Sequence, residues 1–130
     1  MRVAPEVIFK GVRRSAGVAT YVGERLKHLE KFSSDITSCH VTLSREQSSQ
    51  RKGNRYSVMV EVRMPRQRDL AVRKQKQIHE MQTQLPAVIN EAFGAIETQL
   101  KRAVARRRHD EKAHTVDVAA RLAAARLATG

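Results

Sequence analysis

Tyr56-Ser57-Val58-Met59-Val60-Glu61-Val62-Arg63-Met64 decides how this chain folds. Tyr56, Val58, Val60, Val62 and Met64 share one phase, and Ser57, Glu61 and Arg63 share the other. A period of two over nine positions, rich in β-branched residues, predicts a strand with one buried face. Upstream, Ile36 to Ser44 alternates in the same way, with Cys39, Val41 and Leu43 against His40, Thr42 and Ser44. Glu46 to Asn54 is polar and carries Gly53, so it reads as the hairpin loop between the two strands. Downstream, Pro65-Arg66-Gln67-Arg68-Asp69 is a turn, and Leu70 and Val72 predict a short fourth strand.

The flanks have helical periodicity. Val18, Tyr21, Val22, Leu26, Leu29 and Phe32 recur at spacings of three and four, with Ser15 placed to cap them and Ser33-Ser34-Asp35 to end them. A stripe of the same kind runs through Leu85, Val88, Ile89, Ala92, Phe93, Ile96, Leu100 and Val104. Pro86 is best tolerated in a first turn, which predicts a start near Gln84. Ahead of everything, Val7-Ile8-Phe9 closed by Gly11 predicts an opening strand.

The order is therefore β-α-β-β-β-α. Every strand after the first has one apolar phase and each helix has one apolar stripe. The economical solution is an α+β domain: a four-stranded sheet with two helices packed on one face. Strands two to four form an antiparallel meander, and the first joins in parallel through its helix. The other face is left to water or a partner. With 130 residues one domain is expected, over residues 1–112. Residues 113–130 are Ala-rich with few large apolar groups, which predicts a frayed tail or a short helix.

Charge narrows the function. Lys plus Arg number 25 against 13 Asp plus Glu, a formal net charge of +12. That surplus exceeds what dissolving the protein requires and asks for an anionic partner. The cations fall into four groups. Arg25, Lys27, His28 and Lys31 end the first helix, and Arg51, Lys52 and Arg55 sit in and beside the hairpin loop. Arg73, Lys74 and Lys76 follow the fourth strand. Lys101, Arg102, Arg106, Arg107, Arg108 and Lys112 close the second helix. Helix-dipole compensation accounts for Lys31 or Arg107 singly, but not for all four groups. Lys27, Lys31, Arg51, Lys52, Arg55, Arg73, Lys74, Lys76, Lys101, Arg102, Arg106, Arg107 and Arg108 are the candidate RNA-binding residues. Aromatic content is only 4%, too low for a base-stacking platform, so folded RNA would be gripped by shape and phosphate.

Other chemistry finds no support. There is no GxxxxGK[ST] and no GxGxxG, and the five histidines lack metal-ligand spacing. Neither an enzyme, a metal, a cofactor nor a small-molecule substrate is expected. No run of 18 apolar residues is present and the N-terminus lacks a signal-peptide core, so no membrane role is expected. The single cysteine, Cys39, on the apolar phase of its strand, is read as a small buried hydrophobe and fits a reducing cytosol.

Four stretches carry a family resemblance: Glu6-Val7-Ile8-Phe9-Lys10-Gly11-Val12; His28-Leu29-Glu30-Lys31-Phe32-Ser33-Ser34-Asp35-Ile36-Thr37-Ser38-Cys39-His40-Val41; Arg51-Lys52-Gly53-Asn54-Arg55-Tyr56-Ser57-Val58; and Glu91-Ala92-Phe93-Gly94-Ala95-Ile96-Glu97-Thr98-Gln99-Leu100. Together they resemble the ribosome hibernation promoting factors, a family also named ribosome-associated inhibitor and sigma-54 modulation protein. The resemblance implies a cytoplasmic protein that binds the small ribosomal subunit in its mRNA and tRNA channel. It also implies silencing of translation in stationary phase or stress, with the basic residues facing 16S rRNA. In place of the acidic residue and tyrosine usual before the family's second helix stands Gln82-Thr83-Gln84-Leu85-Pro86. Without the C-terminal dimerisation domain of the long members, the chain is expected to be a short form. Two rivals stand beside this reading. A double-stranded RNA-binding module would start with a helix rather than a strand. A protein-interaction regulator of transcription would hold an acidic protein tightly and RNA only weakly near physiological salt.

Overall fold

The computed structural model describes residues 3–46 and 54–129, with side chains described through residue 109. The elements are β1 (Glu6–Lys10), α1 (Ala16–Glu30), β2 (Ser38–Glu46), β3 (Asn54–Arg63), β4 (Leu70–Ile78) and α2 (Met81–Thr129). The sheet order is β1-β2-β3-β4, with β1 parallel to β2 and the other pairs antiparallel. The α+β architecture and the β-α-β-β-β-α order read from the sequence are those observed.

The register explains the core. Cys39, Val41 and Leu43 stand opposite Val62, Val60 and Val58, and Val60 stands opposite Val72. All of these are buried on one sheet face. Both helices cover that face, Val18, Val22, Leu26 and Leu29 from α1 and Leu85, Val88, Ile89, Ala92, Phe93, Ile96 and Leu100 from α2 being buried as well. Burial of each large side chain stabilises by roughly 1.5–3 kcal/mol. On the opposite face His40, Thr42, Ser44, Met59 and Glu61 are partly exposed. There Glu6 and His40, paired across β1 and β2, approach to 2.9 Å.

Local signals sit where expected. Ser15 Oγ accepts from the Val18 N–H at 3.4 Å and caps α1. Gly11 turns the chain out of β1 with φ +67°, a conformation that a Cβ would strain.

Two boundaries differ from the sequence reading. The fourth strand is not short but runs to Ile78. Arg73 to Gln77 are all exposed on this edge strand, so no apolar alternation marks them; the backbone ladder to β3 holds them. The second helix starts at Met81, earlier than Pro86 suggested. Gln84 Oε1 accepts from the His79 and Glu80 N–H groups at 2.7 and 2.8 Å, satisfying donors at the helix start. That cap moves the start forward and leaves Pro86 inside the helix, at the cost of one backbone hydrogen bond. At its other end α2 continues through residues 113–129, where the sequence holds neither Gly nor Pro. The chain divides into two compact units, Met1–Leu100 and Lys101–Gly130.

Candidate nucleic-acid interface

Each basic group is placed by the element that carries it. On α1 the buried phase turns Lys27 and Lys31 into water. Arg25 has a different fate. Its Nη2 donates to Glu97 Oε1 at 3.0 Å, with side-chain exposures of 21% and 12%. Its guanidinium lies 5.7 Å from the centre of the Phe93 ring, and His28 Nε2 is 3.9 Å from the same carboxylate. Charge neutralisation and ring contact make Arg25 a clamp between α1 and α2 rather than an RNA ligand.

The third group does not form a single cluster. Register puts Lys74 and Lys76 opposite Val58 and Tyr56, on the helix-side phase, while Arg73 faces away from the helices. Arg73 Nε donates to the buried Ser57 Oγ at 3.1 Å, and its Nη2 is 4.0 Å from Glu46. Part of its donor capacity is therefore spent within the sheet. Lys74 and Lys76 also discourage pairing of this edge with another strand. Arg55 is exposed beside Glu46 in the β2–β3 pair, whereas Arg51 and Lys52 lie outside the described residues.

On α2, Lys101, Arg102, Arg106 and Arg108 are exposed. Arg107 is only partly exposed, because it shares the helical phase of Leu100 and Ala103. The side chain of Lys112 lies outside the described residues. Sequence reasoning passed over further exposed cations: Lys10 at the end of β1, Arg13 and Arg14 after it, Arg45 on β2, and Arg63, Arg66 and Arg68 around the β3–β4 turn. They occur singly, as the pair Arg13-Arg14, or interleaved with turn residues, so no long run of charge marked them.

Among the described residues no three His, Cys, Asp or Glu side chains gather to hold a metal, and no helix is long and apolar enough to cross a membrane. Burial, helped by the charge of Glu61, pushes the Cys39 thiol from 9.0 up to about 12. The folded protein thus keeps a proton that the unfolded chain loses above pH 9.0. The contribution to stability is whole below that value and falls as pH rises toward about 12. Denaturant titrations at stepped alkaline pH should show this slope in the native sequence and a shallower one in Cys39→Val. At pH 8 a thiol reagent should label Cys39 only on unfolding, and rapid labelling of the native protein would contradict its burial.

Comparison with known families adds the deciding observation. The family of sigma 54 modulation protein / S30EA ribosomal protein matches residues 6–108, from the start of β1 to the end of the arginine run. The chain belongs to that family. The family is one of ribosome-associated proteins. Two solved structures share the family fold. The N-terminal domain of Thermus thermophilus Protein Y aligns with a TM-score of 0.56 and 20% identity, over 75% of this chain and 93% of that one. A ribosomal subunit interface protein from Coxiella burnetii aligns with a TM-score of 0.62 and 14% identity, over 78% and 97%. Comparison with curated proteins finds no match.

Proposed function

We propose that this protein is a cytoplasmic translation inhibitor that occupies the mRNA and tRNA channel of the small ribosomal subunit and holds 16S rRNA by its phosphates. The observation that carries the reading is the exposed series Lys101, Arg102, Arg106 and Arg108 on α2, inside the span that matches a ribosome-associated family. Cations fixed on a helix keep their spacing and release counterions when they meet a phosphate backbone. Lys27, Lys31, Arg55, Lys74 and Lys76 are exposed on the first unit, and Arg73, Arg107, Arg51 and Lys52 complete the proposed set. Tyr56 and Phe93 are buried and Phe9, Tyr21 and Phe32 are half-buried, so bases are not expected to be splayed out and stacked.

Sedimentation with purified subunits tests this. The protein should travel with small subunits and whole ribosomes but not with isolated large subunits. Equal binding to both subunits would reduce the interaction to nonspecific adhesion and overturn the reading. Tight capture of an acidic protein, with RNA binding lost near physiological salt, would favour the transcriptional role that the family description also carries.

A further inference from the structure

The β3–β4 turn is built in an unfavourable way for folding alone. Pro65 fixes the entry, and Arg66 follows with φ +60°, the left-handed region that a Cβ disfavours. Glycine or asparagine would hold this conformation at less cost. Instead the position bears a long cation, and Arg68 adds another two residues on. Both are exposed. The carboxylate of the turn, Asp69, is committed to Arg63, whose Nε lies 3.4 Å away. Neither Arg66 nor Arg68 has an ion pair among the described residues.

The turn is also well anchored. Val62 pairs with Leu70 at its base, and the Thr37 N–H donates to the Arg63 carbonyl at 2.8 Å. That last bond ties the α1–β2 connection to the same end of the sheet. Two guanidinium groups are thus presented on a short, braced tip. Their planar forks match the geometry of phosphate oxygens better than an ammonium does. A strained residue kept at an exposed tip argues for a service outside folding.

We infer that the β3–β4 turn is a separate contact for an RNA phosphate backbone, made by Arg66 and Arg68. The inference rests on the proposed rRNA partner, and adds a site that none of the four basic groups read from the sequence contains.

The test uses the full chain, with Arg66→Gly, Arg68→Gln and the double variant. Melting temperature and the salt dependence of binding to isolated small subunits are read together. Arg66→Gly is expected to melt at or above the native temperature, since glycine tolerates the left-handed backbone. Its affinity should fall by roughly five- to tenfold near physiological salt, and the slope of log K against log salt should flatten by about one unit. The double variant should flatten it by about two. If the native protein binds small subunits and the folded double variant binds with the same affinity and slope, the turn is solvated surface and the inference alone is overturned. If the native protein binds neither subunit, the rRNA reading fails and takes the inference with it.

Discussion

Replacing Lys101, Arg102, Arg106 and Arg108 together by glutamine should cost roughly a thousandfold in affinity for small subunits near physiological salt. Each phosphate contact contributes a slope of about 0.9 in log K against log salt, so four lost contacts flatten it by about three to four units. The fold should survive. All four side chains are exposed on α2 and glutamine keeps helix propensity, so each change should move stability by no more than about 0.5 kcal/mol. Arg107 is left in place because it shares the phase of Leu100 and is partly covered. A folded variant with an unchanged salt slope would show that the series is only solvated surface.

Phe93→Ala should have the largest effect on the fold itself. Phe93 is fully buried on α2 and its ring lies beneath the Arg25 guanidinium. Truncation removes its burial and leaves a cavity, a loss of about 3–5 kcal/mol. It also strips the ring contact from Arg25, whose buried Nε has no hydrogen-bond partner among the described residues, so the ion pair with Glu97 is left in a poorer setting. Against a typical domain stability of about 5–15 kcal/mol this is a large fraction. Thermal melts should fall by more than about 10 °C. A change of only a few degrees would mean that the two helices do not rely on this ring for their packing.

The parts of the fold that were legible in the sequence are those where burial is one-sided. Val58, Val60 and Val62 announce β3 because alternate side chains enter the core, and the α1 stripe is read for the same reason. From Arg73 to Gln77 all side chains meet water, so only the ladder to β3 defines the strand and no pattern could reveal it. The start of α2 depends on a side chain folding back onto its own N-terminus, through Gln84, and Pro86 gave the opposite hint. For the interface, the sequence located charge but not its direction. Arg25 was grouped with the other cations ending the first helix, and its partner lies 72 residues away. Arg73 and Lys74 are neighbours in sequence yet belong to opposite faces of the sheet. Arg66 was hidden because its significance lies in a backbone angle, which composition does not encode.

The claim that this protein fills the mRNA and tRNA channel is tested most directly by competition on isolated small subunits. Subunits carrying labelled mRNA and tRNA are titrated with the protein, and retention of both labels is followed. The account predicts mutual exclusion: saturating protein releases mRNA and tRNA together, and excess mRNA with tRNA displaces the protein in the reverse titration. Simultaneous, independent binding of all three would contradict it.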